Sequence, residues 1–187
     1  MTSIRKATTD DVEAIVELMY EAYAPIRDLG IQFESAYPTR DKVKDNMEQN
    51  LCYVYEIDNT LISTISLRMP WSNNPGPYYF PHIWWFAANP QYKGKGIGSE
   101  VLNFIENEII KQGFHSPAVT LGTASNHPWL VEMYERRGYQ KFGSKDLGKG
   151  HITQYFIKAL NSDLFCGTDS LRQKFTDVTY EEAEYGI

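Results

Sequence analysis

Cysteine is scarce in this chain: only Cys52 and Cys166 occur among 187 residues, and they lie far apart. Two distant cysteines exclude a disulfide framework and a zinc site built on paired cysteines. The first residues also lack the apolar run that is typical of a signal peptide. We therefore expect a protein of a reducing compartment, the cytoplasm.

Long apolar runs and an excess of positive charge are absent as well. No stretch approaches the ~20 apolar residues of a membrane helix, so no membrane association is expected. The 18 Lys and Arg residues face 24 Asp and Glu residues, which gives a net charge of −6. This balance argues against a nucleic-acid binder with a basic surface. The 42% apolar content is that of a globular domain.

Hydrophobic periodicity predicts a mixed α/β domain with one sheet covered by helices, in the order β, helices, β, β, β, α, β, α, β, β. The predicted strands are Ser3–Ala7, Cys52–Ile57, Leu61–Met69, Tyr78–Ala88, Ala118–Thr123, Tyr139–Gly143 and His151–Leu160. The predicted helices follow Thr8 and cover Thr39–Asn50, Gly98–Gln112 and Pro128–Arg137. Residues 1–160 form this domain. Residues 161–187 are a C-terminal extension that is either disordered or docked, on its own domain or across a homodimer.

The helix predicted at Gly98–Gln112 is amphipathic. Its apolar face comprises Val101, Leu102, Ile105 and Ile109. The same spacing places Glu106 and Asn107 off that face.

A glycine-rich loop precedes this helix. Gly94, Gly96 and Gly98 stand at alternate positions, where they allow backbone N–H groups to point inward at the positive end of the helix. Such a loop suits a pyrophosphate, and Lys93 and Lys95 add positive charge. The spacing matches neither a Walker loop, since a glycine follows Lys95, nor a dinucleotide fingerprint, whose third glycine comes one residue later. The alternative is a structural glycine turn.

Two motifs carry a resemblance to a known family. The segment Gln91-x-x-Gly94-x-Gly96 resembles the Q/R-x-x-G-x-G/A signature of the GNAT superfamily, the acyl-CoA-dependent N-acetyltransferases. Further on, Tyr134–Tyr139 reads Y-E-R-R-G-Y and resembles the family's Y-E-x-x-G-F/Y, with Asn126 in the loop before it. Both motifs stand in the family's order.

The resemblance implies a GNAT acyl-CoA N-acyltransferase fold: a mixed, mostly antiparallel central sheet, flanked by helices, with splayed fourth and fifth strands. It implies that an amine, on a small molecule, a peptide N-terminus or a lysine, attacks acetyl-CoA directly. The sequence contains no pair of histidines or cysteines at a spacing typical of metal ligands, so we expect no bound metal. The negative net charge favours cationic acceptors. Two alternatives stay open: a non-catalytic module that binds or senses acyl-CoA, and a transferase for a longer acyl-CoA.

By the same resemblance, acetyl-CoA would lie along two segments. The pyrophosphate would contact the backbone of the glycine loop, and the pantetheine arm would follow the fourth strand. The cofactor-binding residues are then Phe86, Ala88, Gln91, Lys93, Gly94, Lys95, Gly96, Ile97, Gly98, Ser99 and Asn126. An ordinary turn residue is the alternative for Asn126.

Two residues are expected to move protons. Tyr134 occupies the family's general-acid position; the alternative is a core tyrosine. Many relatives carry a catalytic Glu on the fourth strand, but residues 70–88 contain no Asp or Glu. We predict that His82 replaces it, because a period of two places His82 on the face of Phe86 and Ala88. The alternative is a structural histidine at the strand entry, bonded to a backbone carbonyl.

Overall fold

The structure of the protein, a computed structural model, describes residues 2–127 and 129–165. The extension predicted at 161–187 therefore lies outside the described residues from position 166 onward. The strands are β1 (Thr2–Lys6), β2 (Leu51–Ile57), β3 (Thr60–Arg68), β4 (His82–Ala88), β5 (Ala118–Ala124), β6 (Gln140–Asp146) and β7 (Ile152–Ala159). The helices are α1 (Val12–Ala22), α2 (Ala24–Asp28), α3 (Arg40–Gln49), α4 (Ile97–Phe104), which continues as a π-helical segment (Ile105–Gly113), and α5 (Leu130–Arg136).

The seven strands form one sheet in the order β1-β2-β3-β4-β5-β7-β6. Five of the six neighbouring pairs are antiparallel, and only β4 and β5 run parallel. The two parallel strands pair at His82 with Thr120 and at Ile83 with Leu121, and then diverge. The predicted GNAT fold with splayed fourth and fifth strands is thereby confirmed.

Helices cover both faces of the sheet. Helices α1 and α3 pack on one face, where Val12, Ile15 and Met19 contact Trp85 of β4. The helix that follows the glycine loop packs on the other face through the larger core cluster. Among the described residues, no helix combines the length and the apolar character that a membrane span requires.

Strand β4 is shorter than predicted, because it begins at His82 instead of Tyr78. The Tyr78 ring packs 4.3 Å from the ring of Phe142 and 5.5 Å from that of Tyr155. The aromatic character of this segment therefore reflects packing against the β6–β7 hairpin, and not strand pairing.

The face predicted for the Gly98–Gln112 helix is wrong beyond Ile105. Glu106 is 1% exposed and Ile110 is fully buried, whereas Ile109 is only half-buried. The cause is the π-helical segment, in which hydrogen bonds join residues five apart, as from the Phe114 N–H to the Ile109 carbonyl. The wider turn rotates later side chains, so Glu106 faces the protein interior.

A bulge at Trp85 interrupts β4. Its φ of +42° is unusual for a bulky residue, and the pairing with β3 shifts there. The rings of His82 and Trp84 lie 6.3 Å apart, and Trp84 packs against the α1 cluster. Phe86 and Ala88 pack against the cluster on the opposite face. The prediction that His82 shares their face is therefore wrong, because one inserted residue reverses the alternation.

Candidate active site

A cavity of about 360 Å³ opens where β4 and β5 diverge. Its wall contains five of the residues predicted from the sequence, namely His82, Phe86, Ala88, Gly98 and Tyr134. Further wall residues come from the end of α1, from α2 and the turn after it, from β3, β5 and β7, from the start of α5 and from the β6–β7 loop. The divergence of two strands thus creates a slot that leads from the glycine loop into the sheet.

The glycine loop has the geometry that a phosphate group requires. Gly94 and Gly96 adopt left-handed φ values of 79° and 81°, and Gly96 is the N-cap of α4. Within the described chain, no hydrogen-bond acceptor contacts the N–H groups of Gly94, Gly96, Ile97 or Gly98. These donors converge at the positive end of a helix, where an anion is favoured.

Other predicted residues of the loop contribute charge rather than backbone donors. The N–H groups of Lys93 and Lys95 are used in turns, where they donate to the carbonyls of Pro90 and Tyr92. Both lysine side chains are exposed. Their ammonium groups, together with the exposed Gln91 and Ser99 side chains, therefore surround the loop without lining the cavity.

Tyr134 on α5 directs a protonated hydroxyl toward this space. The residue is 7% exposed, and its ring contacts that of Tyr139 edge-on at 5.5 Å. Burial raises the pKa of Tyr134, with the nearby Tyr23 contributing in the same direction. No acceptor among the described residues contacts its hydroxyl, so its proton is available to a ligand in the cavity.

Tyr23, at the end of α1, is a site residue that the sequence did not reveal. Its hydroxyl donates to the carbonyl of Phe86 at 2.9 Å, and burial raises its pKa to about 12. This bond crosses from a helix to the bulged part of β4. In the sequence, Tyr23 shows only the spacing of an apolar helix face.

His82 is buried and its ring is fixed. Nδ1 lies 2.9 Å from the Thr120 hydroxyl, which donates to the Pro81 carbonyl at 3.3 Å. The single hydroxyl proton is then used on Pro81, so Nδ1 carries the ring proton and Nε2 is the acceptor. Burial, with the nearby Arg68, lowers the pKa of His82 to about 3. The imidazole is therefore neutral throughout the neutral pH range.

A second histidine, His127, also lines the cavity. Its Nδ1 accepts the N–H of Leu130 at 3.2 Å and so caps the start of α5, while burial lowers its pKa. The adjacent Asn126 is exposed and lies outside the cavity wall, so its contact with the pantetheine arm stays a prediction. No three His, Cys, Asp or Glu side chains in the described chain are grouped as metal ligands would be.

Arg68, the last residue of β3, places a cation in the cavity wall although it is only 2% exposed. Its Nε donates to the Asn74 carbonyl at 3.0 Å, and Nη2 donates to the Asn74 side chain. The guanidinium carbon lies 4.8 Å from the centre of the Trp84 ring. Burial lowers the pKa of Arg68 to about 10, so the side chain stays charged at neutral pH. The sequence shows Arg68 only as a charge at the end of an apolar strand.

Comparison with known proteins agrees with this geometry. The profile of the acetyltransferase (GNAT) family matches residues 13–139. An S-(2-succino)cysteine N-acetyltransferase of Bacillus subtilis is 52% identical over 86% of this chain and 97% of its own. An S-alkylcysteine N-acetyltransferase of the same strain is 42% identical over 74% of this chain and 78% of its own. The ribosomal-protein-S18-alanine N-acetyltransferase of Escherichia coli shares the fold, with a TM-score of 0.66 at 14% identity over 88% of this chain and 99% of its own. The chain belongs to the GNAT family and is an N-acetyltransferase.

Proposed function

We propose that the chain transfers the acetyl group of acetyl-CoA to the α-amine of a cysteine whose sulfur carries a substituent. The observation that carries this proposal is the similarity over most of the chain to two enzymes named for such acceptors. The small cavity supports it, since about 360 Å³ suits an amino acid better than a folded protein terminus.

The donor side of the site fits acetyl-CoA. The free N–H groups at the start of α4 would hold the pyrophosphate, with Lys93 and Lys95 adding attraction. The slot between β4 and β5 would receive the pantetheine arm along Phe86 and Ala88, and Asn126 would contact the arm from the loop after β5. When bound, acetyl-CoA supplies an acetyl group activated as a thioester.

Proton transfer is assigned to the two predicted residues. Tyr134 would donate its proton to the departing thiolate, because its raised pKa keeps the hydroxyl protonated when the thiolate leaves. The phenolate that remains is a stronger base than a thiolate, whose thiol has a pKa of about 8.5, and solvent reprotonates it. His82 would accept the proton of the amine through Nε2, directly or through one water. Its lowered pKa keeps it unprotonated and ready, but makes it a weak base.

Acceptor identity can be tested with a panel of amines. S-(2-succino)cysteine, S-ethylcysteine, cysteine, spermidine and a short peptide are each incubated with acetyl-CoA. Released CoA thiol and the N-acetylated product are measured. We expect acetylation of the two S-substituted cysteines far above the others. Thermal stabilisation by CoA without turnover of any amine would instead support a non-catalytic module, and faster turnover with hexanoyl-CoA would support a longer acyl donor.

Replacing Gly96 with valine is expected to abolish stabilisation by acetyl-CoA. In the wild type, a hundredfold excess over Kd should add about 2.7 kcal/mol to the free energy of unfolding. No atom lies within 4 Å of a Cβ at Gly96, but its φ of +81° disfavours a β-branched residue. The substitution therefore changes the direction of the N–H groups that would bind the pyrophosphate. Thermal unfolding with and without acetyl-CoA measures the loss of stabilisation.

Gly30 provides a matched control for this substitution. It also has a left-handed φ, +68°, with open space around the missing Cβ, but it follows α2. Gly30→Val should lose a similar amount of stability and keep the full response to acetyl-CoA. Full protection of a folded Gly96→Val protein would contradict the placement of the pyrophosphate.

His82→Gln is expected to lower kcat/KM by about 10²-fold, the low end of general base catalysis, because His82 is a weak base. A folded pKa near 3 keeps the acceptor nitrogen free over the whole neutral range. The fold-loss in kcat/KM should therefore be the same at every pH from 6 to 9, and the ascending limb of the pH–rate profile should stay where it is in the wild type. Rates at saturating acetyl-CoA measure it, with the exposed His115→Gln as the control. A His82→Gln enzyme with wild-type rates would leave water as the proton acceptor.

We also propose a cytoplasmic location for the reaction. Cys52 is a buried free thiol whose Sγ lies 3.2 Å from the Ser66 hydroxyl, and burial raises its pKa to about 11. A thiol that is packed into the core in its reduced form suits a reducing compartment.

A further inference from the structure

Arg68 enters the cavity wall from β3, beside the start of β4. In the sheet, Arg68 pairs with His82, whereas Phe86 belongs to the cluster that contains Tyr134. Three residues of β4, among them the bulged Trp85, lie between His82 and Phe86. The guanidinium carbon lies 4.8 Å from the centre of the Trp84 ring, so the cation is beside the same stretch of β4 as the proposed base His82.

The charge around this end of the cavity is positive. The ionised side chains of the wall are Arg68, Lys149 and Glu34. Glu34 is exposed, and its charge acts on Arg68 by raising the arginine pKa against the effect of burial. Burial lowers the pKa of three further wall residues, which are therefore mostly neutral at pH 7, namely His82, His127 and His151. The local charge thus opposes the −6 of the whole chain, and it favours an anionic acceptor instead of a cationic one.

We propose that Arg68 selects acceptors whose sulfur substituent carries a carboxylate, as a 2-succino group does; this inference rests on the proposed function. A carboxylate in the cavity meets a cation whose plane is fixed by Trp84 and Asn74. Partial exclusion of water strengthens that attraction, and an ordered guanidinium binds carboxylates directionally.

The length of the substrate suits a contact between its succinyl carboxylate and Arg68. In S-(2-succino)cysteine, five bonds separate the amine from the nearer succinyl carboxyl carbon, or about 6 Å when extended. The arginine side chain spans five bonds from Cα to the guanidinium carbon, again about 6 Å. An amine held within one water of His82 therefore leaves the succinyl carboxylate within reach of a guanidinium that starts on the strand paired with His82.

The test compares two substrates in three proteins. Wild type, Arg68→Lys and Arg68→Met are assayed with S-(2-succino)cysteine and with the uncharged S-ethylcysteine. We expect the ratio of their kcat/KM values to fall about 10- to 100-fold in Arg68→Met, chiefly through KM of the succino substrate. Arg68→Lys should recover part of the ratio, since it keeps the charge but not the planar geometry.

A second measurement uses only the wild-type protein, so a folding defect in the variants cannot affect it. The dimethyl ester of the succinyl group keeps its shape but removes both side-chain charges, and its KM should rise about 10- to 100-fold. Equal kcat/KM for acid and ester, with S-ethylcysteine acetylated, would overturn the role of Arg68 and leave the proposed function intact. If neither S-substituted cysteine is acetylated, the proposed function itself fails.

Discussion

Tyr134→Phe is expected to lower kcat by about 10²–10⁴-fold, the range of general acid catalysis, with acetyl-CoA binding nearly unchanged. The substitution removes one hydroxyl from the cavity wall and keeps the ring, which packs against Tyr139 and Phe156. The departing thiolate must then take its proton from water. Turnover is followed by release of CoA thiol, and binding is followed by thermal stabilisation with acetyl-CoA.

The pH dependence follows from the direction of the Tyr134 pKa. Burial raises this pKa above the ordinary value of about 10, so the hydroxyl stays protonated where a free tyrosine ionises. The wild type should therefore show no descending limb from Tyr134 up to about pH 10. The same difference stabilises the folded state fully below pH 10, and that contribution is lost as the pH rises through the folded pKa.

Tyr20→Phe provides the control, because Tyr20 lies on α1 and is 59% exposed. Its turnover should match the wild type. The absence of a pre-steady-state burst would show that chemistry limits the rate. If Tyr134→Phe then turns over as fast as the wild type, Tyr134 is a structural tyrosine and solvent protonates the leaving group.

Local sequence signals predicted the order of elements well. Thr8 precedes α1 as predicted, and the Asp11 carboxylate accepts the Thr8 N–H at 2.7 Å. The turn between β2 and β3 has the left-handed φ values that Asp58 and Asn59 tolerate. Each of these features depends on residues close in sequence, so propensity and spacing suffice to predict it.

Features that depend on distant contacts could not be predicted. The bulge at Trp85 lies where β3, α1 and the cavity meet, and the sequence of β4, apolar throughout after His82, contains nothing that marks it. It therefore reversed the face assigned to His82. The position of the Arg68 guanidinium depends on Asn74 in a following loop and on Trp84 in a neighbouring strand. Hydrophobic periodicity describes one helix or strand at a time and contains no information about contacts between distant segments.

The π-helical segment is the other feature that periodicity missed, and it places a carboxylate in the core. Glu106 accepts a hydrogen bond from the Tyr139 hydroxyl at 2.8 Å and pairs with Lys158 Nζ at 2.5 Å. Arg137 Nη2 lies 3.6 Å from the same carboxylate. The group joins the helix after the glycine loop to β7 and to the end of α5, the helix that carries Tyr134.

Glu106→Ala is therefore expected to lower the free energy of unfolding by about 3–5 kcal/mol, the usual loss when one partner of a buried ion pair is removed. The substitution leaves the Lys158 ammonium without its acceptor beside a nearly dry interior, and it leaves the Tyr139 hydroxyl without a partner as well. Urea unfolding at neutral pH measures the change. Glu106→Gln should lose less, because an amide still accepts the hydroxyl of Tyr139.

Glu108 provides the control, because it lies two residues further along the same π-helical segment but is exposed. Glu108→Ala removes the same charge and has the same effect on helix propensity. It should change the free energy of unfolding by no more than about 0.5 kcal/mol, as surface substitutions do. Equal losses for the two variants would mean that the charge network around Glu106 adds nothing, and that the π-helical register is held by the packing of Ile105 and Ile110 alone.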